Sequence, residues 1–339
     1  MPNMNEIELE EQLSEPSPAA VEALKHLSGD LLLLGVNGKM GHSLARMARR
    51  ALDAVGNKAR VIGVARFQQG GEEQLHSYDI ETLRCDLLNP LDVERLPEAE
   101  NVLFMTGMKF GSTGNEAATW AMNSFLPGVI CRRFSRSRIV AFSTGNVYGL
   151  TTVDSGGSKT TDPLSPVGEY AMSCVGRERM FEYFSRELDI PTAIIRLNYA
   201  CDLRYGVLVD LLRKVWNEEP IDLAMGYFNT IWQGDANAMT LAAFGHLGSP
   251  PSVFNVTGPE ILSVRTVCEQ AAARWNKPVR LVGTEAETAL LNDPRASFDR
   301  LGTPRVSGNQ LIDSVMEWIE SGGSSLNKPT HFESRTGKF

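Results

Sequence analysis

The chain has 339 residues, of which 42% are hydrophobic and 22% charged, with a formal net charge of −8. That length supports a large core or two unequal lobes, and a negative balance without any basic block argues against nucleic-acid partners and against adhesion to an anionic membrane. The five cysteines (Cys85, Cys131, Cys174, Cys201, Cys268) are odd in number and lack C-x-x-C spacing, so a reducing, cytoplasmic setting without disulfide framework or zinc site is expected.

Residues 1–16 are acidic and polar, with neither the positive nor the apolar region of a secretory leader, and are expected to be disordered. No apolar run approaches the length of a membrane span. Ser17-Pro18 then opens a short helix reaching Leu27. The segment Asp30–His42 follows and carries the strongest local signal. Its apolar run Leu31–Leu34 stops at Gly35, glycines recur at Gly38 and Gly41, and Leu44, Met47, Ala48, Ala51 and Leu52 then share one helical face. This reads as strand, tight turn and helix. Gly35 allows the turn, Gly38 admits a pyrophosphate close to the backbone, and Gly41 lets the helix pack on the strand. Lys39 and Met40 lie inside the turn, where the helix N terminus faces the phosphates and Lys39 adds positive charge. The spacing G-x-x-G-x-x-G departs from the G-x-G-x-x-G fingerprint, and the alternative is an ordinary strand-to-helix turn.

Further buried strands are expected at 60–64, 101–105, 138–143 and 191–196, with helices near 43–55, 116–134 and 169–188 between them. Strands without polar alternation, separated by helices, indicate an α/β fold with a doubly wound parallel sheet covered on both faces. The second strand ends Gly63-Val64-Ala65-Arg66-Phe67 with no acid for a ribose 2′-hydroxyl. Arg66 therefore favours the 2′-phosphate of NADP over NAD, the alternative being a solvated surface arginine. Asp86, after a third strand, either contacts the adenine amino group or caps the following turn. Beyond Arg196 the pattern loosens: a helix near 206–217, a loop through 218–232, a helix from 235, an apolar run at 253–256, and helices near 263–275 and 308–320. The expected organisation is a dinucleotide-binding domain over 17–200 that recovers a strand near 252–257, a smaller substrate lobe over 201–322, and a polar tail at 323–339.

From the glycine turn onward the chain resembles the extended short-chain dehydrogenase/reductase superfamily, the NAD-dependent epimerase/dehydratase family, over most of residues 30–320. The likeness rests on Gly35/Gly38/Gly41, Asp86-Leu87, Phe104-Met105-Thr106-Gly107, Asn123, Phe142-Ser143-Thr144-Gly145-Asn146-Val147-Tyr148-Gly149 and Pro166 through Ser173 with Tyr170. It implies a Rossmann-like domain with a smaller C-terminal lobe and a cofactor near Thr106, Gly107 and Asn123. It also implies a catalytic set in which Tyr170 exchanges the hydroxyl proton and Thr144 orients the substrate oxygen. The family's lysine, four residues after the tyrosine, is replaced by Cys174. A thiol cannot supply the cation that lowers the tyrosine pKa, so Tyr170 is expected to stay near its free value of about 10. Lys109, in a Gly107–Gly111 loop similar to one that lies against the cofactor in UDP-galactose epimerases, could compensate or simply contact a phosphate. Arg177 could do so from the helix of Tyr170, or be a surface charge. Cys174 itself is either an inert buried thiol or a reactive one.

The resemblance narrows the substrate by what is missing. Gly145-Asn146 stand where sugar-nucleotide dehydratases carry Asp-Glu, and Phe228 stands where nucleotide-sugar epimerases carry an arginine for the diphosphate. Asn146, Asn198, Tyr199, Arg204 and Trp232 are the candidate substrate residues, with Trp232 equally readable as core and Asp235 as a helix cap. The expected protein is an epimerase or reductase using NADP on a hydroxyl or ketone of a small sugar-like or polyol compound. The alternative is a non-catalytic dinucleotide-binding sensor or scaffold. Apolar residues of the 116–134 and 169–188 helices (Trp120, Phe125, Met180, Phe181, Phe184) would permit a homodimer or face the sheet.

Overall fold

The computed structural model describes residues 4–109 and 111–338. Seven parallel strands form one sheet: β1 (Leu31–Leu34), β2 (Val61–Ala65), β3 (Glu81–Arg84), β4 (Asn101–Phe104), β5 (Arg138–Thr144), β6 (Thr192–Leu197) and β7 (Ser252–Val256), in the order β7-β6-β5-β4-β1-β2-β3. Leu31 to Leu34 show why the run is uniformly apolar. All four are fully buried, Leu31 and Leu33 in the core on one face of the sheet, Leu32 and Leu34 in the core on the other. Strand order reverses beside β1, so the C-terminal ends of β1 and β4 border the crevice where such sheets bind ligands.

The helices follow the expected positions closely. They are α2 (Pro18–Lys25), α3 (Gly41–Ala54), α4 (Glu116–Arg133, with a π-helical turn at Ala121–Phe125), α5 (Gly168–Leu188), α6 (Val207–Trp216), α7 (Gln233–Ala242), α8 (Val264–Trp275) and α9 (Gly308–Glu320). None of the helices among the described residues is long and apolar enough to cross a membrane. On α4 and α5, Phe181 faces the sheet, edge-on to Phe104 at 5.3 Å, whereas Trp120 and Phe125 are exposed. The second lobe has its own core, built from α6, α8, α9 and the segments between them.

Both chain ends correct the sequence reading. Within residues 1–16, the described part from Met4 onward is folded. It forms α1 (Glu6–Leu13), opened by a capping box in which Asn5 receives the amides of Ile7 and Glu8, and Glu8 returns a bond to the Asn5 amide. Its acidic composition hides an i,i+4 apolar pair, Leu9 and Leu13, both fully buried in the second lobe. Glu10 and Glu11 meet Arg204 and Arg46. The tail also folds back. Trp318 donates to Ser324 O at 2.9 Å, Phe332 is buried beside Phe228, and Arg335 donates to the Thr288 carbonyl at 2.7 Å. A few anchors in a polar stretch are enough to hold it, and they leave no periodicity to read.

Candidate active site

Gly35 leaves β1 at φ +92°, and a Cβ there would sit 2.8 Å from Thr106 Oγ1. Thr106 uses that hydroxyl to hold the Leu34 carbonyl at 3.1 Å, latching the end of β4 to β1. A Cβ on Gly41 would lie 1.9 Å from the Val36 carbonyl oxygen, so only glycine lets α3 approach the strand. Among the described residues no side chain caps the N terminus of α3, an end whose free amides suit an anion. These features fit the pyrophosphate of a dinucleotide.

Two cavities meet at this turn. The first, of about 540 Å³, runs over the ends of β2 and β3 and is lined by Arg66, Phe67, Asp86, Thr106 and Gly107. Arg66 is exposed at its mouth. Asp86 accepts the Leu88 amide at 3.1 Å, so it caps the turn while also bordering the cavity. The second, of about 320 Å³, lies between sheet and lobe and is lined by Lys39, Met40, Lys109, Thr144, Asn146, Tyr170, Arg177, Asn198, Tyr199, Tyr205 and Thr330 among others.

Tyr170 lies in this second cavity with the side chains of Thr144 and Cys174 in hydrogen-bonding contact. Thr144 stands at the end of β5, its Oγ1 donating to Asn146 Oδ1 at 3.0 Å and accepting the Asn146 amide at 3.2 Å. Burial pushes the Tyr170 phenol up, neighbouring Cys174 pushes it further, and the Arg177 guanidinium opposes both. The expectation of an ordinary value is therefore corrected: the missing cation and the dry site act in the same direction. Cys174 is fully buried beside Val147 and Tyr148, and burial raises its thiol too, so it reads as inert and not as a thiolate.

Arg177 is not the surface charge that remained an alternative. It is 5% exposed, donating to the Phe142 carbonyl at 2.9 Å and to Asn123 Oδ1 at 2.7 Å. Asn123, expected at the cofactor, is fully committed elsewhere. Its Oδ1 also accepts the Met108 amide, and its Nδ2 donates to the Met108 carbonyl and to Ser173 Oγ, each at 2.9 Å. It holds the 107–109 loop against α5 from within the π-helical turn, a distortion that often marks functional sites. Lys109, on that loop, brings its Nζ to 5.9 Å from the centroid of the Tyr170 ring.

Asn198 and Tyr199 line the cavity as expected; Asn198 donates to Asn229 Oδ1 at 3.0 Å and Tyr199 adopts φ +48°. Arg204 and Trp232 do not. The Arg204 guanidinium is taken up by Asp202 and Glu10, at 2.6 and 2.7 Å, and Trp232 is buried in the core of the lobe. Asp235 is not a helix cap either. It accepts the amides of Arg305 and Val306 and the Arg305 guanidinium. Sequence reasoning missed Tyr205 and Thr330, which reach the cavity from the lobe and the tail, where no motif marks them. Behind the site, Arg196 on β6 and Glu178 on α5 form a buried ion pair at 2.7 Å. Ser143 Oγ donates to the same carboxylate at 2.6 Å, and Arg196 also donates to the Tyr148 hydroxyl.

The model of the NAD dependent epimerase/dehydratase family matches residues 31–201. No curated protein sequence matches the chain. Among solved structures, it is similar to UDP-glucuronic acid 4-epimerase from Bacillus cereus in complex with NAD, at 16% identity over 86% of this chain and 99% of that one, with a TM-score of 0.71. It is also similar to dTDP-glucose 4,6-dehydratase from Streptomyces venezuelae with NAD bound, at 18% identity over 86% and 97%, TM-score 0.69. A third is the epimerase Mth375 from Methanothermobacter thermautotrophicus, at 16% identity over 91% and 97%, TM-score 0.72.

Proposed function

The chain belongs to the NAD-dependent epimerase/dehydratase family, and from that premise we propose that it is an NADP-dependent enzyme that reduces a ketone of a small sugar-like or polyol compound. Tyr170 delivers the proton and Thr144 orients the substrate oxygen. The observation that carries this reading is the contact of Tyr170 with Thr144 in a cavity that opens onto the glycine turn. Arg66 at the mouth of the outer cavity, with no acid beside it at the end of β2, supports the phosphorylated cofactor. Similar solved proteins bind NAD and act on nucleotide sugars, which supports hydroxyl/ketone chemistry in this cleft.

The protonation state of the tyrosine suits the reductive direction. A bound nicotinamide supplies the hydride. A phenol raised by burial is protonated throughout the neutral range, so Tyr170 is ready as an acid toward a forming alkoxide and poorly placed as a base toward an alcohol. Thr144 holds the oxygen that receives the proton, and Asn146 fixes the Thr144 hydroxyl. Arg177 and Lys109 supply the positive charge that Cys174 cannot. Burial brings the Lys109 ammonium down to about 8, the nearby Cys174 opposing. Lys109 is then charged below that pH and neutral above it. The rate of NADPH oxidation should fall as pH rises through about 8, and Lys109→Met should remove that limb. Persistence of the limb in Lys109→Met would take Lys109 out of the scheme.

Turnover of NADPH on a panel of small ketones and keto-sugars tests the proposal; a panel on which the parent enzyme is silent, although it binds NADPH, would count against it. The second reading, a dinucleotide-binding sensor or scaffold, is favoured by one observation, the neutral buried thiol at position 174. A dead parent revived by Cys174→Lys would support it, and robust activity in the parent would end it.

A further inference from the structure

The chain leaves β2 by a tight path. Phe67 stands in the left-handed region at φ +49°, and Gly70 and Gly71 follow at φ +79° and +104°. Left-handed residues so close together turn residues 66–71 back on themselves, beside the first turn of α3. Arg66, Phe67, Gln68 and Gln69 thereby line the outer cavity, and Arg66 is exposed at its mouth. An exposed arginine is aimed by the backbone that carries it, so what holds this loop bears on what Arg66 meets.

Three side chains hold it. Asn37, inside the glycine turn, lines the same cavity, and its Nδ2 donates to the Gly70 carbonyl at 3.0 Å. That bond sets the direction of the Asn37 amide, so Oδ1 faces His42 Nε2 at 2.9 Å and accepts its hydrogen. The other ring nitrogen, Nδ1, lies 2.7 Å from Gln74 Oε1, on the helical turn Glu72–His76 that follows the loop. His42 is the second residue of α3 and lines neither cavity. It joins the glycine turn, on one side of the loop, to the helical turn on the other. Gly71 packs over the joint: a Cβ there would lie 2.5 Å from Asn37 Oδ1 and 3.0 Å from the His42 ring. The helical turn is itself fastened to the sheet, where Arg84 of β3 donates to Glu72 through Nε at 2.8 Å.

We propose that His42 is a positioning residue for the cofactor. Through Asn37 and Gln74 it latches the 66–71 loop onto the glycine turn and so holds Arg66 ready for the 2′-phosphate. A loop rich in glycine and polar residues, left loose, must be ordered on binding, and that ordering subtracts from affinity. Latched beforehand, it meets the dinucleotide in place. NADP draws on Arg66 and NAD does not, so a loosened loop weakens NADP more. The selectivity part of this inference rests on the NADP reading; the latch part rests on the hydrogen bonds alone.

Hydrogen exchange of the full chain without dinucleotide reads the latch, and calorimetric titration with NADP and NAD reads its consequence. His42→Ala should speed exchange of the 67–71 amides by at least about fivefold and leave the sheet amides unchanged. It should also remove most of the parent's preference for NADP, while the Kd for NAD moves less than about threefold. His42→Gln, which keeps a donor for Asn37, should regain part of that preference. Gln74→Ala, on the exposed side of the latch, should act in the same direction and keeps the test open if His42→Ala disturbs α3. Unchanged 67–71 exchange in both variants overturns the latch. Faster exchange with the NADP preference intact overturns the positioning role. A parent that shows no preference for NADP, or one whose preference survives Arg66→Ala, ends the NADP reading by itself. The exchange arm then still decides the latch: faster 67–71 exchange supports it, and unchanged exchange overturns it.

Discussion

Tyr170→Phe should lower kcat for ketone reduction by about 10²- to 10⁴-fold, the usual contribution of a positioned acid or base, while the Kd for NADPH changes little. Phenylalanine keeps the ring and loses only the hydroxyl and its contacts with Thr144 and Cys174. The ring environment beside Lys109 persists, so a fall in kcat cannot be blamed on a collapsed cavity. Thr144→Ala should produce a smaller fall, since it removes an orienting bond and leaves the proton donor in place. Far-ultraviolet circular dichroism and the melting temperature check that both variants remain folded. A Tyr170→Phe enzyme within a few-fold of the parent would mean that the proton comes from elsewhere, and the mechanism drawn around this residue would fail.

The second large effect is on stability. Glu178 and Arg196 are both almost completely buried and paired at 2.7 Å between α5 and β6. Removing one member of such a pair strands the other charge in a dry interior, which costs about 3–5 kcal/mol. Glu178→Ala should therefore destabilise the chain by about that amount in urea unfolding. It also takes the acceptor from Ser143 Oγ, one residue before Thr144. The damage should spread to the catalytic end of β5, so kcat should fall in the fraction that stays folded. Glu178→Gln keeps the shape and part of the hydrogen bonding, and should cost less. A loss under about 1 kcal/mol in Glu178→Ala would show that water or a rearranged side chain reaches Arg196, contrary to the packing described.

The sheet was readable because its strands are buried on both faces, which removes polar residues and leaves runs such as Leu31–Leu34 and Ile139–Phe142. The glycine turn was readable for a related reason: Gly35 and Gly41 are required by close backbone approach, and that requirement shows in the spacing. What stayed hidden is what depends on distant partners. Arg177 looks like one more charge on a helix until the β5 carbonyl of Phe142 and Asn123 close around it. Asn123 belongs to the site as a support for the Lys109 loop, with none of its amide hydrogen bonds left for a cofactor. Arg204 carried a suitable charge in a suitable stretch, but Glu10 of the N-terminal helix reaches it across the fold. Thr330 comes to the cavity on a tail that has no pattern of its own. Local periodicity reports burial; it does not report which charged groups meet.

Titration of the purified chain with NADPH, NADP, NADH and NAD in parallel tests the central claim most directly. The account predicts binding of the phosphorylated pair with a preference of about tenfold or more, lost in Arg66→Ala, as expected for one charge-assisted contact at a partly solvated site. Failure of all four dinucleotides to bind would contradict it, leaving a fold and a glycine turn without the cofactor on which the proposed chemistry depends.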